Sequence, residues 1–310
     1  MTRNIRHAVV IGSSGFLGSW LVDRLVREGT QVTGISRRKG PVLDSLAEPS
    51  TWTSADIVNA PPDTYLPECD TVFFLAGIAS VPASLKDPVA DLDGNLRSAL
   101  RILQTLRERD TGTSFIFASS AAVYGSALVL PMAESHPLQP LSPYGVSKLA
   151  AEAYVRLYAT TFGIPGASAR VFSVYGPGQH KQVVYDWALK VATNTPQLSF
   201  FGAPEVSRDF IYVSDATAAF AQIAKNAPLK GEAYNVASGT ETTLEGLARN
   251  LLAISGASAR FSFSGDVRVG DPVRWQSDIA ALQRLGFQTE VSLLEGLRRT
   301  YLWATGKSFI

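Results

Sequence analysis

Tyr144-Gly-Val-Ser-Lys148 sets a phenol and an ammonium four positions apart, on one face of any helix that carries them. Such a pair can move a proton. A tyrosine ordinarily titrates near ~10, so bringing it to neutrality takes roughly 4 kcal/mol of extra stabilisation of the phenolate. Neighbouring positive charge in a partly desolvated site supplies that. By itself the spacing is an everyday arrangement on helix surfaces, but its company sharpens it. Ser119 and Ser120 follow the apolar run 114–118, and Asn95 opens a segment of helical period. A serine hydroxyl at the carboxyl end of a buried strand can hydrogen-bond a substrate oxygen as its charge changes. Singly, Ser120 also reads as a turn former and Asn95 as a helix N-cap. Together and in this order they read as an active site built on Ser120, Tyr144 and Lys148.

A second constellation lies near the N-terminus. Gly12-Ser-Ser-Gly15-Phe-Leu-Gly18 joins the β-branched run 8–11 to a helix-period segment, 16–27, with Leu17, Leu21 and Leu25 on one face. A glycine turn there lets backbone approach a pyrophosphate, and the helix start offers free N–H groups and a positive dipole end. The spacing departs from G-x-G-x-x-G, yet its place between strand and helix reads as a dinucleotide site. The second strand, 31–35, runs into Ser36-Arg37-Arg38, where an acidic residue would hold a ribose 2′-hydroxyl. Two arginines suit a 2′-phosphate, so NADP is expected, with NAD as the alternative; a solvated basic loop is the other reading. Asp56 either contacts the adenine side or closes a turn. An oxidised nicotinamide beside Lys148 would supply the positive charge that Tyr144 needs.

These groups need a scaffold. Further strands are predicted at 70–75 and 114–118, with a helix over 95–109 between them carrying Leu96, Leu100, Leu103 and Leu106. Ser142 as N-cap and Pro143 at the first helical position open another helix, to about residue 161. Strands alternating with helices predict an α/β fold: a doubly wound, Rossmann-like parallel sheet. After Phe172 glycine and proline punctuate shorter elements. We read residues 1–172 as the dinucleotide-binding domain, with 212–227 returning to it, and 173–310 as mainly a smaller, discontinuous substrate domain. The 310 residues suffice for this, and 46% hydrophobic content supports a real core. A net charge of +1 supplies no field for nucleic acid or an anionic membrane. The run 72–79 is far short of the ~20 residues of a membrane helix, and 8–11 is too short for a secretory h-region. Cys69, the single cysteine, suits a reducing compartment. A soluble, cytoplasmic protein without a metal site is expected.

The ordered series Gly12–Gly18, Asn95-Leu-Arg-Ser-Ala-Leu, Ser119-Ser120-Ala-Ala-Val-Tyr124-Gly125, Tyr144–Lys148, Val174-Tyr175-Gly176-Pro177, Arg208-Asp209-Phe210-Ile211-Tyr212, Tyr234-Asn235-Val236 and Arg268-Val-Gly270-Asp271 resembles the extended short-chain dehydrogenase/reductases of the nucleotide-sugar epimerase/dehydratase family. The likeness covers nearly the whole chain. It implies that Tyr144 exchanges a proton with a sugar C4 hydroxyl, that Ser120 hydrogen-bonds the same oxygen, and that Lys148 holds the nicotinamide ribose. It implies cofactor contacts from Gly12, Ser14, Gly15, Phe16, Leu17, Gly18, Ser36, Arg37, Arg38, Asp56, Ile57, Leu75, Ala76, Gly77 and Asn95. For the nucleotide-diphosphate sugar it implies Ser80, Ser173, Arg208, Arg268 and Asp271, the two arginines gripping the diphosphate as guanidinium forks suit. Pairing of two copies through 95–109 and 144–161 is also implied.

Three departures bear on the reaction. The acidic residue for NAD is missing. Arg170-Val171-Phe172-Ser173 stands where Arg-x-Phe-Asn is common, and Ala121-Ala122 stands where dehydratases carry Asp-Glu, which argues against a dehydratase. Cys69 lies outside the site and His180 reads as a loop residue. Two enzymatic readings follow. The first is a 4-keto-sugar reductase using exchanging NADPH; the alternative is an NAD-dependent nucleotide-sugar 4-epimerase. A non-enzymatic dinucleotide-sensing protein could share the fold, but retention of Ser120, Tyr144 and Lys148 argues against it.

Overall fold

The protein is described here by a computed structural model covering residues 2–40, 42–266 and 272–307. Its centre is a parallel sheet built from β1 (His7–Ile11), β2 (Gln31–Ser36), β3 (Thr51–Ser54), β4 (Thr71–Phe74), β5 (Ser114–Ser120) and β6 (Gly166–Val171). Three short strands follow, β7 (Ser173–Tyr175), β8 (Gln197–Phe200) and β9 (Ser207–Tyr212), before β10 (Lys230–Val236) returns to complete the sheet. The seven strands lie in the order β3-β2-β1-β4-β5-β6-β10. Chain order reverses between β1 and β4, so the loops leaving their carboxyl ends diverge and open a crevice. β5 runs through Ser119 and Ser120 instead of stopping at residue 118, because both pair with β6, at Arg170 and Val171.

The helices are α1 (Phe16–Arg27), α2 (Val81–Lys86), α3 (Pro88–Leu92), α4 (Ser98–Arg109), α5 (Pro143–Phe162), α6 (Val183–Ala192), α7 (Val213–Asn226), α8 (Leu244–Ser255), α9 (Ala280–Gln283) and α10 (Leu293–Ala304). The helix expected to start at Asn95 instead continues from α3 through a π-turn, Asp93–Arg97, into α4. β1 shows why its sequence is apolar at every position. Ala8 and Val10 face one core, with Leu21 and Leu25 of α1 and Phe220 and Ile223 of α7. Val9 and Ile11 face the opposite core, with Ile102 and Leu103 of α4 and Val155 of α5. A sheet covered on both faces has no solvent side on which to alternate.

A separate core gathers Trp187, Phe200, Leu247, Leu251, Leu297 and Tyr301, from α6, β8, α8 and α10. Two small sheets adjoin it, β7 and β9 with β11 (Glu241–Thr243), and β8 with β12 (Arg260–Phe263). α5 starts as its sequence dictates: Ser142 Oγ accepts the Gly145 N–H at 3.2 Å, and Pro143 occupies the first turn. It ends at Gly163, which takes φ +73°.

A buried polar network crosses these layers. The Arg170 guanidinium on β6 donates to both Glu152 oxygens on α5, at 2.8–3.1 Å. Ser119 donates to the same carboxylate. Arg170 Nη1 also donates to Tyr124 Oη at 2.9 Å and to the Glu134 carbonyl at 3.0 Å, and Tyr124 donates to Asn235 Oδ1 at 2.6 Å. Arg170 and Glu152 are 5% and 7% exposed, so neither charge has water to fall back on. Glu152→Ala should therefore destabilise the fold by about 3–5 kcal/mol, the scale for stranding a buried partner charge. Chemical denaturation measures this, and a loss below about 1 kcal/mol would show that Arg170 finds other compensation.

Candidate active site

The crevice between the loops after β1 and β4 is where the glycine motif falls. Gly12 adopts φ +93°, and a Cβ there would lie 2.8 Å from the Ala76 nitrogen, so only glycine lets these two loops close up. A Cβ on Gly18 would sit 2.1 Å from the Gly12 carbonyl oxygen, which keeps α1 tight against the turn. The start of α1 has no side-chain cap and no acidic residue in its first turn. Its free N–H groups thus suit an anion. Gly15 is exposed and Ser14 half-buried on this turn, while Phe16 and Leu17 pack partly against the core around Trp187. Leu75 and Ala76 are half-buried and Gly77 exposed at the facing loop. Behind it lies Asn95, fully buried, with its Oδ1 lacking any hydrogen-bond partner. The glycine turn, the uncapped helix start and the orphaned amide oxygen together fit a nicotinamide dinucleotide.

At the far end of β2, Ser36 is buried and ties its own turn: its hydroxyl donates to the Arg38 carbonyl at 2.6 Å and accepts from Trp52 Nε1 at 3.0 Å. The Arg37 and Arg38 side chains are exposed. Asp56 is exposed too. Its carboxylate accepts from Asn59 Nδ2 at 2.8 Å and the Val58 N–H at 3.2 Å, contacts that hold its pKa down, with help from nearby Arg37. This is the geometry of a turn aspartate. Ile57 beside it is half-buried.

Tyr144, Lys148 and Ser120 converge where α5 crosses the carboxyl end of β5. Tyr144 and Lys148 are 9% and 4% exposed. Burial pushes the Tyr144 phenol up to about 12, a Ser120 hydrogen bond opposes this, and the Asp91 charge adds to it. Burial likewise pulls the Lys148 ammonium down to about 8, resisted by Asp91 and Glu152. Lys148 Nζ donates to the Ala118 carbonyl at 2.8 Å and lies 5.8 Å from the Tyr144 ring centroid. The expectation of a phenol brought toward neutrality pairs Lys148 with an oxidised nicotinamide; in the protein by itself desolvation, which residue spacing does not reveal, favours the protonated phenol. Ser120 Oγ also accepts the Ala122 N–H at 3.2 Å, which fixes its rotamer beside Tyr144.

The residues expected to meet a substrate are more dispersed. Ser80 caps α2, accepting from the Ala83 N–H at 3.2 Å. Ser173 is half-buried on β7. Arg208 on β9 lies 5.3 Å over the Trp275 ring and donates to the Ser207 carbonyl at 2.7 Å. Arg268 and Asp271 lie outside the described residues. His180 is exposed and packs edge-on against Trp303 and Tyr185. Residue types alone did not single out Asp91, Glu152 or Arg170. Their signal was present as spacing: Glu152 is four positions beyond Lys148, and Asp91 four before Asn95.

Residues 8–237 match the NAD-dependent epimerase/dehydratase family. The chain is 31% identical over 314 residues to the UDP-glucose 4-epimerase of Mycolicibacterium smegmatis, covering 97% of this chain and 99% of that one. Among solved structures it is similar to the UDP-N-acetylglucosamine 4-epimerase of Methanobrevibacter ruminantium in complex with UDP-N-acetylmuramic acid, with TM-score 0.88, 28% identity and coverage of 99% and 100%. It is also similar to the Thermus thermophilus UDP-glucose 4-epimerase in complex with NAD, with TM-score 0.81, 26% identity and coverage of 97% and 100%.

Tyr144→Phe tests the centre of this site. The variant should bind nicotinamide cofactor with near-unchanged affinity by calorimetry, while turnover falls ~10²–10⁴-fold, the scale for losing an acid/base group. Turnover near that of the unaltered protein, in an assay limited by chemistry, would place the proton transfer elsewhere.

Proposed function

The chain belongs to the NAD-dependent epimerase/dehydratase family, and on that premise we propose that it is a UDP-sugar 4-epimerase using NAD. The observation that carries this reading is the end-to-end match to 4-epimerases, on a chain whose catalytic cluster offers one acid/base residue, Tyr144. One residue suffices when a proton leaves an oxygen and returns to that same oxygen. A dehydratase must also eliminate water, and Ala121 and Ala122 bring no acid or base for it. The 4-keto-sugar reductase, which Arg37 and Arg38 favoured, has less support: the relatives point to epimerisation, and the Thermus relative is in complex with NAD.

In this reading Tyr144 Oη takes the C4 hydroxyl proton and later gives it back, while Ser120 holds the same oxygen through its hydroxyl. Bound NAD supplies the acceptor and then the donor of the C4 hydrogen. Lys148 holds the nicotinamide ribose and keeps positive charge behind the tyrosine. Asn95, the turn at Gly12–Gly18 and the loop Leu75–Gly77 hold the dinucleotide. Arg208 and, from the sequence motif, Arg268 and Asp271 bind the nucleotide diphosphate; Ser80 and Ser173 border the sugar. Residues from about 173 onward, apart from α7 and β10, serve mainly the substrate.

No helix among the described residues is long and apolar enough to cross a membrane. Val89 of α3 and Val146, Tyr154 and Leu157 of α5 expose apolar side chains. They support pairing of two copies through this face, and a sedimenting mass equal to one chain would exclude it.

The assay that tests the reading supplies UDP-glucose and separately follows sugar configuration and cofactor balance. UDP-galactose should appear with catalytic NAD and no net consumption of reduced cofactor, and the rate should turn down above about pH 8, where Lys148 loses its proton. Replacing Arg37 and Arg38 together by alanine should leave NAD affinity unchanged while weakening NADP, since NAD carries no 2′-phosphate for the guanidinium groups to pair with. Stoichiometric use of NADPH, with a keto sugar as the only substrate turned over, would restore the reductase reading.

A further inference from the structure

Asp91 is a buried carboxylate that the proposed reaction does not yet use. It lies on α3, 1% exposed. Its Oδ1 accepts from Asn95 Nδ2 at 2.9 Å, and its Oδ2 has no hydrogen-bond partner. Asn95 Nδ2 also reaches the Ile78 carbonyl at 3.4 Å, so the amide is held by its nitrogen. Its oxygen is left bare toward the loop after β4, where a Cβ on Gly77 would come within 2.2 Å of it. Asn95 lies inside the π-turn Asp93–Arg97 and Asp91 just before it; such turns are frequent at functional sites.

α3 and this turn pack against α5. Charged and polar groups face Lys148 from several elements. From α5 come Tyr144 and Glu152; from β6, Arg170, which already neutralises Glu152 through a bidentate pair. β5 offers the Ala118 carbonyl and the Phe117 ring, 4.7 Å from Nζ. Asp93 and Arg97 of the π-turn pair with each other at 3.3 Å, and Lys86 of α2 is exposed. Among the described residues Asp91 forms no close ion pair, and Lys148, across the α3–α5 contact, is a cation on which its charge acts.

We propose that Asp91 is a positioning residue for the catalytic pair: it clamps the Asn95 amide with one oxygen and acts as counter-charge to the Lys148 ammonium across the α3–α5 contact. The inference rests on Tyr144 and Lys148 doing the chemistry. Its electrostatic half agrees with the directions at both groups, since the Asp91 charge favours the protonated forms of Lys148 and Tyr144 alike.

The test reads Lys148 directly. In protein labelled with ¹³C at lysine, the Lys148 Cε resonance is assigned by its loss in Lys148→Met and followed through a pH titration. In Asp91→Asn, which keeps an oxygen for Asn95 but loses the charge, the midpoint should move acidward by about one pH unit or more. The upper limb of the rate profile should move with it, and Asp91→Glu should restore at least half of the shift. A role in packing alone would lower the melting temperature and leave the Lys148 midpoint in place, which would overturn the proposal. If Asp91→Asn does not fold, Asp91→Ser carries the same titration, and an unchanged Lys148 midpoint in that folded variant overturns the proposal. Absence of sugar turnover in the unaltered protein would count against the epimerase reading instead, and leaves the lysine titration interpretable.

Discussion

The Arg170–Glu152 pair is the contact on which the chemistry-bearing elements depend for their relative positions. Breaking it would leave a bare charge in a dry interior, whereas an ion pair of this kind adds little net stability over apolar residues that fill the same space. Its value lies in excluding alternatives. Glu152 sits one helical turn beyond Lys148 and takes the Ser119 hydroxyl, the residue before Ser120. A slip of α5 along the sheet would separate Glu152 from Arg170 and from Ser119 together. Tyr124 and Asn235 extend the constraint to the sheet edge: Asn235 Nδ2 donates to the Met132 and Asp278 carbonyls at 2.9 and 3.1 Å. The loop around Met132 and the C-terminal segment at Asp278 are thereby tied to the strand system that carries Arg170.

Around that anchor the topology does the rest. Parallel strands deliver all their carboxyl ends to one edge, and the reversal of order between β1 and β4 keeps that edge open at its middle. The dinucleotide loop follows β1, the loop Leu75–Gly77 faces it from β4, and Ser120 ends β5. Each of the three lies at the end of a paired strand, so backbone pairing in the sheet limits how far they can drift. Asp209 repeats this economy at a distance. Its buried carboxylate accepts the N–H groups of Ser238, Gly239 and Ser277 at 2.8–3.1 Å, and burial raises its pKa to about 6 against those bonds. It joins β9 to the turn after β10 and to the segment that carries Trp275, beside Arg208.

What could be read from the sequence follows from which forces have local signatures. The double-sided apolar runs of β1 and β4, the Ser142-Pro143 start of α5 and the glycine turn all depend on neighbours in the chain, and each lies where its residues place it. Even the end of β5 was misread by only two residues, because Ser119 and Ser120 are polar and strand pairing with Arg170 and Val171 is non-local. The cofactor preference was harder. Arg37 and Arg38 stand in place of the acidic residue and suit a 2′-phosphate, whereas similar solved structures hold NAD. A pair of exposed side chains at a strand end is a weak local signal for choosing between the two cofactors. The ionisation of Tyr144 and Lys148 was not legible at all, since burial depends on what crosses over α5 from α3 and β5.

That burial has a consequence for how one tyrosine serves both directions of a reversible transfer. Desolvation raises the phenol and lowers the ammonium, so the protein by itself favours the uncharged phenol and weakens its own lysine. Moving the phenol from about 12 to neutrality takes roughly 7 kcal/mol. Lys148, itself weakened by burial, is one contributor to that stabilisation, its Nζ 5.8 Å from the Tyr144 ring centroid. On the proposed reading an oxidised nicotinamide beside Tyr144 would add positive charge and favour the phenolate, and the acidity of Tyr144 would follow the charge of that ring. The frame of α5, β5 and Arg170 would then hold the geometry while the charge changes.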